Sequence, residues 1–375
     1  MKPLEGLVVV AVEQAVAAPL CSLRLAQAGA RVIKVERAEG DLARGYDDAA
    51  GGDSSYFAWL NQGKESVVLD FKTPEGAALL RAMLARADVF IQNFAPGALD
   101  RAGFSYEELA ELNPRLVRCD ISGYGSGPET AQKRGYDLLV QAESGLIAVS
   151  GSPGAPGRIG VSVCDIGAGM TAHAAVLEAL LARGITGRGA HLEVSLFGVA
   201  AEWMTVPFVH AEYGKGAPRP AGLKHPSIAP YGAFPTADGR EILIAVQNER
   251  EWQRLCSDVL GDAGLAGREA YASNIARVEN REALDQEIAA ITSRMESDRF
   301  CGLLDAARIA YGRLNGAADL SDHAAFRTVI VRNSGGSEIS LPAPPAVDLA
   351  DIPRTGGPVP KVGQQTEAIR REFGA

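Results

Sequence analysis

Several signatures that would announce a chemistry directly are missing from this chain of 375 residues. No CxxC pair links its five cysteines (Cys21, Cys119, Cys164, Cys256 and Cys301). Neither a zinc site nor a disulfide framework is expected, and reduced thiols point to the cytoplasm. His173, His191, His210, His225 and His323 form no HxH or HExxH spacing, which argues against a metal centre. No serine lies in GxSxG, so the nucleophile elbow of a serine hydrolase is absent. Positive charge is short too. Against 46 Asp and Glu there are 37 Lys and Arg, a formal net charge of -9, and no bulk field favours nucleic acid or an anionic membrane. The apolar run Leu7–Val12 follows Glu5 and is too brief for a signal peptide. Nowhere does an uncharged apolar stretch approach the ~20 residues of a membrane helix.

What is present is the balance of a globular enzyme, 47% hydrophobic and 22% charged, long enough for two domains. Leu7–Val12 reads as a strand, Pro19–Ala28 as a helix and Ala30–Glu36 as a second strand, a βαβ unit that predicts an open parallel sheet. Ser66–Leu69 and Asp88–Gln92 continue the strands, and TPEG at Thr73–Gly76 starts a capped helix. Pro96–Gly103, Tyr106–Asn113 and Leu116–Ile121 read as helix, helix and strand. The turn after the first strand, EQAVAAP, has no GxGxxG, so an NAD fingerprint is absent where it should lie. Val163–Arg183 is a helix rich in small residues, which permit close backbone packing. A Pro- and Gly-rich connection follows, then YGAFPTADGREILIAV, a hairpin with an Asp-Gly turn. Helical segments fill Glu249–Ala310. The expected division is a large domain over 1–205 completed by 325–375, a linker over 206–230 and a small domain over 231–324.

Asp165, in GVSVCDIGAGM, lies between an apolar stretch and the small-residue helix, where it can serve as a structural N-cap. The same position suits covalent chemistry. Backbone amides and the helix dipole would keep the carboxylate ionised and receive a developing oxyanion. Arg37, Lys72 and Arg101 each follow a strand, so they can converge on the carboxyl edge of one sheet, where such folds bind anionic nucleotides.

In order along the chain, LEGLVVVAVEQ, GARVIKVER, LDFKTPEG, QNFAPGALDRAG, LNPRLVRCDISGYG, RGYDLLVQAESGL, VSVCDIGAGM and TGRGAHLEVSLF resemble blocks of the class III CoA-transferases, the group of formyl-CoA transferase and carnitine CoA-transferase. The resemblance implies an α/β fold: a large domain with a Rossmann-like parallel sheet, a smaller α+β domain, a ring-shaped subunit and an interlocked homodimer. It places the nucleophile on Asp165 and CoA contacts on Val16, Ala17, Arg37, Leu69, Lys72, Asn93, Phe94, Arg101, Arg134 and Asp137. Coenzyme A thioester and a small carboxylic acid would be the substrates, with no permanently bound cofactor, nucleic acid or membrane partner.

Two departures bear on specificity. Val16 stands where formyl-CoA transferase has glutamine, and AGLKHPSIAPYGAF replaces its glycine-rich lid, which sets formate and oxalate in question. The racemases of the same fold carry GHD where this chain has GYD, so Tyr136 replaces one of their two proton-transfer groups. EWMTVP, LKHPSIAPYGAF and Gly312–Asn315 are similar to a subgroup acting on small dicarboxylates. Within it, intramolecular C1 to C4 transfer on mesaconyl-CoA is the favoured expectation, ahead of succinyl-CoA-dependent transfer to itaconate, mesaconate or citramalate. A racemase and a non-catalytic CoA-binding protein are the remaining alternatives.

Overall fold

The structure, a computed structural model, describes residues 2–214, 216–350 and 352–374. It separates into two compact units. One holds the residues up to Leu146, Arg158–Val206 and those from Arg327 on; the other holds Ile147–Gly157 and Pro207–Phe326. The short segment Ile147–Gly157, contiguous in sequence with the first unit, packs with the second.

In the first unit the chain runs β1 (Val8–Val12), α1 (Ala17–Gln27), β2 (Arg31–Glu36), α2 (Ser55–Asn61), β3 (Glu65–Val68), α3 (Pro74–Leu84), β4 (Val89–Gln92), α4 (Tyr106–Leu112), β5 (Val117–Ser122), α5 (Asp137–Glu143), α6 (Val163–Thr186), β6 (Ala190–Ser195) and α7 (Leu196–Trp203). The six strands form one sheet in the order β3-β2-β1-β4-β5-β6. Every pairing in it is parallel. Strand order reverses between β1 and β4, and the carboxyl ends on either side of that point leave a crevice, as in Rossmann folds.

Both faces of the sheet are covered, which is why its strands read as continuous apolar runs. Val9, Ala11, Ile91 and Cys119 meet α1 and α6 on one face; Val10, Ile33, Phe90 and Val67 meet α3 on the other. Each valine, isoleucine or phenylalanine among them contributes ~1.5–3 kcal/mol on full burial. Thr73 caps α3 as its sequence predicts, accepting from the Gly76 amide at 3.1 Å, with Pro74 in the first turn. Helix α6 has the length and apolar composition of a membrane span, yet Cys164, Ala168, Ala172 and Val176 are packed into the sheet's core. One helix expectation fails: Pro96–Gly103 holds only the short turn Asp100–Ala102, because Gly97 and Gly103 take φ of +73 and +82, outside any right-handed helix.

The second unit is built on β7 (Tyr231–Pro235), β8 (Glu241–Ala245) and β9 (Ala310–Arg313), with β8 between the other two. The hairpin expected from Asp238–Gly239 is the antiparallel pair β7–β8. Helices including α8 (Arg281–Thr292) and α9 (Ser297–Ala307) pack Leu284, Ile288, Phe300 and Leu304 against Trp252 and Ile244.

Candidate active site

At the carboxyl ends of β1, β2 and β3 lies a cleft of about 600 Å3, lined by Val12, Val35, Glu36, Arg37, Gly40, Val68, Leu69, Lys72 and Phe94, among others. Four of the CoA positions taken from sequence therefore meet there: Arg37, Leu69, Lys72 and Phe94. Arg37 and Lys72 are exposed cations on its rim, Leu69 is buried, and Phe94 stands edge-on to Phe71, an apolar wall beside two charges. That combination suits a nucleotide with phosphates. The other named positions are not among its lining residues. Arg101 is exposed on the Asp100–Ala102 turn, and Arg134 is exposed in the loop before α5. Val16 and Ala17 are buried where β1 passes into α1. Asn93 spends its amide on the backbone of Gln14, accepting from its N–H at 3.0 Å and donating to its carbonyl at 2.8 Å.

Beneath this turn is a charge cluster that strand periodicity concealed. Lys34, in the middle of β2, is wholly buried and paired with Asp41 at 2.8 Å, and Lys64 pairs with Glu13 at 2.7 Å. Arg44 grips Glu36 with two nitrogens at 2.9 and 2.8 Å. Burial pushes the Lys64 ammonium down to about 8, partly offset by Glu13.

Asp165 differs from its expectation twice: it is not the N-cap, and the terminal amides do not hold its carboxylate. The N-cap of α6 is Ser162, and Asp165 is the third helical residue. The amides of Cys164 and Asp165 donate to Asp137 Oδ1 at 2.7 and 3.3 Å, while Asp137 Oδ2 accepts from Gln141 at 2.6 Å. The helix terminus thus holds Asp137, with both oxygens already accepting hydrogen bonds from its own chain. No donor among the described residues reaches the Asp165 carboxylate. Burial first, and the neighbouring charge of Asp137 second, push its pKa up to about 7.

Two tyrosines that sequence did not single out, Tyr46 and Tyr56, lie near the start of α6. Tyr46 stands edge-on to Tyr56, whose hydroxyl is 3.4 Å from Ser162 Oγ. The Tyr46 hydroxyl is raised by burial and then by Asp41, Asp165, Tyr136 and Tyr56, which puts all of them within electrostatic reach. Only Tyr136 had a signal in the sequence, in its GYD context. Helix α6 reaches this place because Gly169 lies against the Ala17 carbonyl: a Cβ there would be 2.5 Å from that oxygen.

The segment replacing the family's lid lies in the second unit, beside a cleft of about 1120 Å3 that Lys224, His225 and Arg281 help line. It is a built turn. His225 stacks on Tyr231, Arg281 donates to the carbonyls of His225, Ile228 and Tyr231, and Lys224 pairs with Asp285 at 2.7 Å. Among the described residues no cluster of His, Cys, Asp or Glu could hold a metal ion.

Comparison with known proteins gives the same family across the chain. The pattern of CoA-transferase family III matches residues 4–366. Acetyl-CoA:oxalate CoA-transferase of Acetobacter aceti is 34% identical, over 100% of this chain and 96% of its own. Succinate–glutarate CoA-transferase of Agrobacterium fabrum is 33% identical, over 99% and 96%. Among solved structures, a CAIB/BAIF family protein from Brucella suis superposes with a TM-score of 0.86 at 33% identity, covering 99% of both chains. With the parallel sheet, its crevice and the helix bearing Asp165 all in place, the chain belongs to CoA-transferase family III and is a CoA-transferase.

Proposed function

We propose that this enzyme moves CoA between two short dicarboxylic acids through a thioester on Asp165, working as a homodimer. The observation that carries the nucleophile is the half-buried Asp165 carboxylate, without a donor among the described residues and with its pKa pushed up to about 7. Such a group is more nucleophilic than a solvated carboxylate, yet about half remains ionised near neutral pH. An Asp165 oxygen attacks the donor thioester carbonyl, the C–S bond breaks and CoA leaves as thiolate, giving a mixed anhydride. The thiolate attacks Cγ of Asp165 and releases the donor acid. The acceptor carboxylate then attacks Cγ and the Cγ–S bond breaks, giving a second anhydride and free thiolate; the thiolate attacks the acceptor's carbonyl and the Asp165 carboxylate leaves, regenerated. No proton is gained or lost. Tyr46, Tyr56 and Tyr136 are suited to shelter these hydrolysable intermediates and donate to a second carboxylate.

Oxalate, succinate and glutarate, named for the relatives, are all dicarboxylates. They favour transfer between two molecules over the intramolecular mesaconyl reaction, and they return oxalate to consideration despite Val16. Intact-protein mass spectrometry after mixing with succinyl-, mesaconyl- or acetyl-CoA should show a CoA adduct. Asp165→Asn should form none, and should lose transfer by more than about a hundredfold, ~2.7 kcal/mol. An adduct persisting in that variant would end the assignment. With labelled free acid, product label appearing at the turnover rate supports two-molecule transfer; isomerisation of mesaconyl-CoA without label uptake selects the intramolecular reaction.

A further inference from the structure

Ala15 joins β1 to α1 with a left-handed backbone, φ +62, one of two such non-glycine residues among those described. An alanine is disfavoured there, so the surroundings must hold it, and such strain commonly marks functional sites. Two clamps do so. Asn93 brackets Gln14 through both amide atoms, at 3.0 and 2.8 Å. Asp41 Oδ1 accepts from the Ala15 N–H at 3.0 Å and from Ala43 at 2.9 Å, while its Oδ2 takes Lys34 at 2.8 Å. The Lys34 and Asp41 side chains have 0% exposure, so Asp41 cannot turn away without taking the shortest partner from a buried ammonium, leaving it Glu13 at 3.3 and 3.5 Å.

What the turn holds lies next to Asp165. Ala15 and Val16 share an apolar cluster with Ile166, the residue after Asp165, and the Ala17 carbonyl lies against Gly169 of the same helix. Among the described residues, α1 has neither a side-chain cap nor an acid in its first turn. A tilt of the turn would therefore reach the start of α6 directly. Among the described residues, Arg37 and Lys72 make no hydrogen bond to residues 14–16 or to Asn93, so the turn does not hold them directly.

We infer that Asn93 and the Lys34–Asp41 pair are positioning residues for the transfer reaction. They fix Gln14–Ala15–Val16 in the left-handed turn that seats the start of α1 against the Asp165 end of α6. This rests on Asp165 being the nucleophile.

The test uses Asn93→Ala and the double variant Lys34→Met/Asp41→Ala, which removes the buried pair together and leaves Glu13 with Lys64. Each should lower kcat by about tenfold or more while the KM for acyl-CoA moves less than about threefold. Adding Ala15→Gly, which makes the left-handed conformation accessible without a clamp, should recover several-fold of kcat in both. Unchanged kcat in folded variants, or a raised acyl-CoA KM with kcat intact, overturns the inference. So does a loss of kcat that Ala15→Gly does not relieve. Amide exchange over residues 13–18 reads the clamp with no substrate: it should quicken in both variants, and unaltered exchange also overturns the inference. Failure of wild-type enzyme to form the Asp165 adduct is a separate result and falls on the nucleophile assignment alone.

Discussion

Asp137 takes the amides of Cys164 and Asp165, so the terminal hydrogen bonds go to it while the half-buried Asp165 carboxylate has no donor among the described residues. The two carboxylates share one helix start with opposite consequences. Asp165 has its pKa pushed up to about 7 by burial first and Asp137 second. Asp137→Asn keeps an oxygen for the cap and removes the charge, so the Asp165 pKa should fall part of the way toward ordinary carboxylate values. The rising limb of adduct formation against pH should move to lower pH, and the variant-to-wild-type rate ratio should increase as pH falls from 8 to about 6. A limb that stays in place would remove Asp137 from the electrostatics of the site. Asp165 itself was legible, because an acid before a small-residue helix is a local pattern. The cap was not. Its partner is 28 residues away in the chain, and nothing in RGYDLLVQ says which amides Asp137 will meet.

Among the elements, α1 and α6 approach through glycine rather than through interdigitated side chains. At Gly169 an added Cβ would meet the Ala17 carbonyl at 2.5 Å and Leu20 Cβ at 2.9 Å, both rigid features of α1. Gly169→Ala should therefore destabilise by about 1–3 kcal/mol in denaturant unfolding and slow transfer beyond what lost folding explains, because it displaces the helix that carries Asp165. Gly302, inside α9, has open space around it. There, Gly→Ala should stabilise by about 0.5–1 kcal/mol. Equal effects at the two positions would mean that the α1–α6 contact yields without cost. The small residues of DIGAGMTAHAA announced close packing, and the caps and turn pairs of Thr73 and Asp238–Gly239 announced their elements, since all are short-range signals. The Lys34–Asp41–Glu13–Lys64 cluster gave no such notice: a lysine inside a strand looks the same whether it faces water or three buried partners.

For the molecule as a whole, a parallel sheet follows from βαβ connections and was anticipated, but its strand order and the surface left open on the outer helices were not legible from periodicity. Leu181 and Ile185, in the last turns of α6, are 73% and 90% exposed. The helix Thr205–Tyr213 buries no residue in its own chain, although Val206, Phe208, Val209 and Tyr213 are apolar or aromatic, with Tyr213 82% exposed. A nine-residue helix of this kind has little stability alone, and exposed apolar surface of this kind marks an interface. A second copy of the chain is the occupant proposed above. Light scattering should then give twice the 39.3 kDa of one chain. If the two copies interlock, dissociation requires opening a subunit, so that mass should persist on dilution until unfolding begins. Phe208→Asp/Val209→Asp should leave the isolated fold of the sheet intact by circular dichroism while lowering the yield of dimer. A folded, active species of 39.3 kDa at low concentration would exclude both the interlocked arrangement and the need for a second copy.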